Sequence, residues 1–191
     1  GMYINGGRFP TDKLKKVPEQ NQPIGSKEFP LFYGIVGQGQ FSEIPKAVLN
    51  DDPYPVRGLL IAAASPALTY PDKKLWHKVY EKLDFLVVNE RFMSEEIMYA
   101  DVVFPATTYY ENQIPVSSPL FGWKLRNRII QPLGEARNDV HILQALAEKM
   151  GFGEAYPKSD EDTELWMLDG NRELLEKLKC SEAVNATKNL L

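Results

Sequence analysis

Cysteine is nearly missing: Cys180 is the only one in 191 residues. That excludes a disulfide framework, a Cys-rich zinc site and any iron–sulfur cluster held by this chain alone. Histidine is almost as scarce. His77 and His141 lie far apart in the chain, neither has metal-ligand spacing or a nucleophile beside it, and His77, beside Trp76 and away from the strand ends, reads as a surface residue. No catalytic residue and no metal ligand is therefore expected. A basic surplus is also lacking: 22 Lys+Arg stand against 26 Asp+Glu, for a net charge of −4. That argues against a nucleic-acid partner. No apolar run approaches the roughly 18 residues of a membrane span. The opening GMYINGGRFP has no basic head and no apolar stretch, so no signal peptide is expected at this start. Gly1-Met2 reads as the remnant of a cleaved tag. Gly34, Gly37 and Gly39 have the wrong spacing for a GxGxxG turn, and no buried strand precedes them. A GxSxG elbow, a phosphate loop and a paired-carboxylate arrangement are absent as well.

What is present is an ordinary globular composition, 43% apolar and 25% charged, long enough to bury one core. Residues 1–55 read as an arm with short helices packing on that core. Pro10, Pro18, Pro23 and Pro30 punctuate it, with Lys15-Lys16 and the polar run Glu19 to Gln22 between them. A short helix is expected from Phe29 to Val36. Another is expected from Ser42 to Leu49, capped by Ser42, with Ile44, Ala47 and Val48 on one face.

From Val56 the pattern alternates. Leu59 to Ala63 and Phe85 to Val88 are short apolar runs of the kind covered on both faces in a parallel sheet. Asp101 to Phe104 is a third. Between them, Asp72 to Leu83 places Leu75, Trp76, Val79, Tyr80 and Leu83 on one helical face, and Ser94 to Tyr99 reads as a short helix. This β-α-β-α-β series predicts an α/β fold: a Rossmann-like three-layer domain over 56–168 with a mainly parallel sheet. Residues 106–121 read as a loop and Lys124 to Ile130 as a strand with Lys124, Arg126 and Arg128 on one face, a common guard on an exposed edge. Asn138 to Met150 reads as a helix with Gly151 as its stop. Helices interrupted at Gly170-Asn171 follow, and 169–191 form a helical tail. Asn185-Ala186-Thr187 fits a glycosylation acceptor, a short match with little weight by itself.

Ligands of an open parallel sheet bind beyond the carboxyl ends of its strands. That rule selects Ala64, Ser65 and Pro66, then Asn89 and Glu90 through Ser94, then Pro105 and Thr107. Ala64-Ser65-Pro66 reads equally as a plain turn. Glu90 can accept hydrogen bonds from ribose hydroxyls or a guanine edge, or simply face solvent. Ser94 also has the place of a helix N-cap.

These segments resemble the molybdopterin oxidoreductases of the dimethyl sulfoxide reductase class. Asp51 to Leu60 (DDPYPVRGLL) followed by Ala64-Ser65-Pro66 is similar to their "PYP-(I/V)-(K/R)-x-hydrophobic … N-P" segment. Lys82 to Glu96 (KLDFLVVNERFMSEE) is similar to "KLDF-V-V-x-D-x-F-M-T-E-T". Ala100 to Ala106 (ADVVFPA), with Glu111 six residues after Pro105, resembles "ADVVLPA … E". Gln131 to Asp139 (QPLGEARND) resembles "x-P-x-G-E-A-R-x-D". The Pro-rich opening and PLFYGIVGQGQ are most similar to the polysulfide and thiosulfate reductase branch.

The resemblance implies that this stretch is the family's third domain and grips the guanosine end of a molybdopterin guanine dinucleotide. It assigns Glu90, Ser94, Pro105 and Thr107 to that grip and adds Asp139, which is also a plain first-turn helix carboxylate. It further implies that iron–sulfur and metal ligands belong to regions absent here, that the remaining domains and an electron-transfer subunit are the partners, and that this chain alone is inactive. The compartment it implies is bacterial or archaeal cytoplasm or periplasm. Three motifs depart from the pattern. "G-x-N-P" reads Ala63-Ala64-Ser65-Pro66, "T-E-T" reads Ser94-Glu95-Glu96, and the Gly after "E-x-x" is Ile114. A stand-alone nucleotide-binding or protein-interaction module remains the alternative.

Overall fold

The structure, a computed structural model, describes residues 22–118 and 122–180. Residues 1–21 of the N-terminal arm and the Asn185 acceptor sequence lie outside the described residues. The chain divides into two compact units at Pro105/Ala106.

The first unit is an α/β unit. It runs through α1 (Pro30–Val36), a 3-10 turn (Phe41–Glu43), α2 (Ile44–Asn50), β1 (Gly58–Ala62), α3 (Pro66–Thr69) and α4 (Lys73–Lys82). Then come β2 (Phe85–Glu90), a 3-10 helix (Glu95–Tyr99) and β3 (Val102–Pro105). The three strands are parallel in the order β1-β2-β3, with Ile61 opposite Val88 and Val88 opposite Val103. Right-handed crossovers between strands laid down in sequential order place both connections on the same face. The core accordingly sits on that face: Val48, Ala67, Trp76, Val79 and Tyr80 pack on Ile61, Leu86 and Val88. Trp76, Val79 and Tyr80 share one side of α4 through their i, i+3, i+4 spacing. Asp72 caps that helix by accepting the Leu75 N–H at 3.1 Å.

One helix start differs from expectation. α2 begins at Ile44, after the 3-10 turn that contains Ser42, because Pro45 suits a first helical turn where no N–H is needed. Ser42 therefore makes no cap.

The second unit corrects the sequence more deeply. Part of the expected loop is a strand: β4 (Ile114–Ser118) pairs antiparallel with β5 (Gly122–Arg126). Pro115 hides this strand from a sequence reading, yet in a two-stranded ribbon every strand is an edge and tolerates it. β5 stops at Arg126 rather than Ile130, because Ile129 and Ile130 both donate their N–H to the Tyr110 carbonyl (2.8 and 3.1 Å). Of the three basic residues, Arg126 and Arg128 turn to partners within the unit. Arg126 lies over the Tyr109 ring at 4.6 Å, and Arg128 donates to Asp160 at 2.8 Å. α5 (Asp139–Lys149), α6 (Asp160–Met167) and α7 (Arg172–Lys179) complete the unit. A small core of Trp123, Leu168, Leu175 and Leu178 joins β5 to the last helices.

Candidate functional site

The strand ends of the first unit are the place to build from. At the end of β1, Ala63 turns the chain with φ 51, in the left-handed region. Its N–H donates to the Asn89 carbonyl at 3.4 Å, the last tie before the strands part. Ser65 then takes the N-cap position of α3, with Pro66 in the first turn, but its side chain caps nothing. The hydroxyl instead donates toward both oxygens of Glu96, at 3.0 and 2.9 Å. The Ala67 N–H donates to Glu96 Oε1 at 2.9 Å, and the Tyr80 hydroxyl to the same oxygen at 3.2 Å.

Glu96 is fully buried. Burial pushes its carboxyl up. Its own backbone N–H, the Ser65 hydroxyl and the Ala67 N–H outweigh that and hold it below the ordinary carboxylate range. Burial, reinforced by the Glu96 charge, raises the Tyr80 phenol in turn. Glu96 was not among the residues selected from the sequence, and its signal was the departure from "T-E-T".

Asn89 is buried and Glu90 mostly so at the end of β2, with Glu90 opposite Pro105 in register. Glu90 Oε1 accepts the Arg91 N–H at 2.7 Å, and Arg91 Nε lies 3.8 Å away. Ser94 stands at the N-cap position of the 3-10 helix without a side-chain cap bond. Beyond this edge Phe92 and Met93 are largely exposed. The structure therefore gathers Ser65, Pro66 and Ser94 around Glu96, and sets Asn89, Glu90 and Pro105 side by side at the sheet edge.

Thr107 and Asp139 belong to the second unit. Thr107 is buried; its N–H donates to the Arg137 carbonyl at 3.0 Å and its hydroxyl to Asn112. Beside it, Glu111 accepts the Thr108 N–H and hydroxyl, both at 2.8 Å, and the Leu133 N–H at 2.7 Å. These bonds draw its carboxyl below the usual range. Asp139 is exposed in the first turn of α5, whose cap is Asn138.

Among the described residues no cluster of three His, Cys, Asp or Glu could hold a metal ion. Cys180 is exposed at the end of α7. His77, expected at the surface, is half-buried: its Nε2 lies 2.8 Å from Glu95 Oε1 and its ring packs on Tyr99. Lys73, with His77 behind it, holds the Glu95 carboxyl low. His141 lies 3.4 Å from Asp160. No described helix is long and apolar enough to cross a membrane.

Comparison with known proteins agrees with the motifs. Residues 16–149 match the family model described as Molybdopterin oxidoreductase. The thiosulfate reductase molybdopterin-containing subunit PhsA of Salmonella typhimurium is 32% identical over 171 residues, which cover 87% of this chain and 23% of that protein. The dimethyl sulfoxide/trimethylamine N-oxide reductase of Rhodobacter capsulatus is 32% identical over 101 residues, 51% of this chain and 12% of that one. In fold, the acetylene hydratase from Pelobacter acetylenicus superposes with a TM-score of 0.73 at 20% identity, covering 85% of this chain and 26% of that one. The chain thus spans about a quarter or less of these relatives' lengths. It belongs to the molybdopterin oxidoreductase family.

Proposed function

We propose that this chain is the part of a molybdenum or tungsten oxidoreductase that holds the guanosine end of a molybdopterin guanine dinucleotide. One observation carries the reading. Three parallel strands end together at one edge, and there the Glu90 carboxylate stands opposite Pro105, with the buried Asn89 on the other face of the same strand. Strand carboxyl ends are where open α/β sheets bind ligands. Glu90 Oε1 accepts the Arg91 N–H, and an ionised carboxylate has further acceptor sites to offer a ligand. A carboxylate there favours guanine, whose edge offers two adjacent N–H donors, over adenine, which offers only its amino group.

The polar strand ends fit a nucleoside, and among the described residues no cluster of three His, Cys, Asp or Glu could hold a metal. When bound, the cofactor supplies the metal that exchanges electrons with substrate. This chain's residues bind and orient its distal end. Metal ligands, any iron–sulfur cluster and contacts to an electron-transfer subunit then belong to the rest of a longer enzyme, and the chain alone turns nothing over. Thr107 and Asp139 are further candidates on the strength of the motif resemblance.

Calorimetric titration tests the reading. GDP is expected to bind saturably and at least about tenfold more tightly than ADP, a difference of about 1.4 kcal/mol. Glu90→Gln should erase most of that preference. Equal affinity for the two nucleotides, or reductase turnover by this chain with a dye donor, overturns the proposal.

A further inference from the structure

Two departures from the family pattern meet in space. Ser65 stands where the motif has Asn and Glu96 where it has Thr, 31 residues apart, and their side chains are hydrogen-bonded at 2.9–3.0 Å. An N-cap side chain ordinarily accepts the N–H of the second or third helical residue. In α3 that N–H belongs to Ala67, and Glu96 Oε1 accepts it at 2.9 Å while Ser65 caps nothing. We infer that Ser65 and Glu96 are a coupled positioning pair, in which Glu96 caps α3 from across the fold and fixes the turn that Ser65 alone would leave loose.

The chemistry of the exchange is direct. An Asn at 65 reaches its own i+2 N–H with its side-chain oxygen and caps locally. Position 96 then needs only a small polar residue. The Ser at 65 turns its hydroxyl toward Glu96 here and makes no cap bond, and the acceptor for the Ala67 N–H comes from elsewhere. Glu96 supplies it with a longer side chain, anchored again by the Tyr80 hydroxyl. One consequence touches the guanosine reading, on which it rests. The Ser65 hydroxyl is committed inward, so this turn meets a ligand through its backbone at Ala63 and Ala64, set by Glu96. Ser65 and Glu96 are therefore positioning residues.

The test is a double-mutant cycle on the 191-residue chain with Ser65→Asn, Glu96→Thr and both together. Denaturation midpoints and GDP affinity are measured well below each variant's Tm. Glu96→Thr alone should lower the midpoint and weaken GDP about tenfold, since it strips the Ala67 N–H, the Ser65 hydroxyl and the Tyr80 hydroxyl of their acceptor. The double variant should recover at least about half of both losses, a non-additivity expected only of residues in contact. Additive losses overturn the pair. Recovery of the midpoint without recovery of GDP affinity overturns its positioning of the ligand. If the parent chain binds no GDP, the guanosine reading falls and the stability cycle alone decides the pair. Should Glu96→Thr fail to fold, Glu96→Gln with Ser65→Ala closes an equivalent cycle: coupling supports the pair and additivity overturns it.

Discussion

Glu96 and Glu111 do similar work in different ways. Each is buried in its own unit, and each carboxylate ties a loop to a distant stretch of chain. Glu111 draws two of its three bonds from backbone N–H groups, those of Thr108 and Leu133. Glu96 relies on the hydroxyls of Ser65 and Tyr80, with Ala67 the single backbone donor from another element. Every residue but proline offers a backbone donor, so the identities around Glu111 can vary at little cost. The Glu96 cluster is bound to its neighbours' identities. It is also the cluster where both contacting positions depart from the family pattern, whereas Glu111 keeps the pattern's Glu and the departure near it falls at Ile114.

The largest effect should come from breaking the first cluster outright. Glu96→Ala leaves three buried donors unpaired at ~1–3 kcal/mol each, and on the order of 3–5 kcal/mol of stability should be lost after relaxation. Urea denaturation followed by circular dichroism measures it. A loss under about 1 kcal/mol would mean that water replaces the carboxylate and that the buried bonds carry little.

Tyr80→Phe makes a finer cut. It removes one bond to a charged acceptor and keeps the ring that packs against Trp76 and Tyr99. About 1.5 kcal/mol should go. Placed on a Glu96→Ala background, the same change should cost almost nothing, because its partner is already gone. Equal cost on both backgrounds would assign the tyrosine's contribution to packing instead.

The sequence carried much of this fold and little of this cluster, and range explains the difference. The strands at Leu59, Phe85 and Val102 announce themselves as short apolar runs, and α4 by the spacing of Trp76, Val79 and Tyr80; these are local signals. The β4–β5 ribbon was hidden by Pro115, whose exclusion from strands lapses at an edge. Asn89, Glu90 and Pro105 could be selected as candidates because topology alone sends strand ends to one side. Glu96 was passed over because its partners come from residues 65, 67 and 80, and no local pattern reports such a meeting. Its only trace was a pair of motif departures that looked independent in one dimension. His77 misled in the same way: its partner Glu95 lies 18 residues on.

Acid should unsettle both clusters, since both carboxyls sit below their ordinary value in the folded chain. A depressed carboxyl contributes stability that is fully present above the unfolded value of about 4.3 and disappears as pH falls through the folded one. Denaturation midpoints should therefore hold from pH 7 to about 5 and fall below that. Glu111→Gln should lower the midpoint at pH 7 and flatten the acid slope. An unchanged slope would mean that other carboxylates dominate the acid response.

The smallest effect should be a gain, and it bears on why the first cluster tolerates its departures. Ala63 holds φ 51 where the family pattern has glycine. A β-carbon costs roughly 1–2 kcal/mol in the left-handed region, whereas glycine enters it freely. The turn nevertheless forms, because the Ala63 N–H is tied to Asn89 on one side and Glu96 clamps Ser65 and Ala67 on the other. Ala63→Gly relieves the strain but leaves a more flexible unfolded chain, and the two terms partly offset. A net gain of about 0.5–1 kcal/mol is expected in the parent. On the Glu96→Ala background the gain should be larger, since the loosened turn then depends more on its own backbone preference. A gain that shrinks there would show that the left-handed turn at Ala63 exists only while Glu96 imposes it.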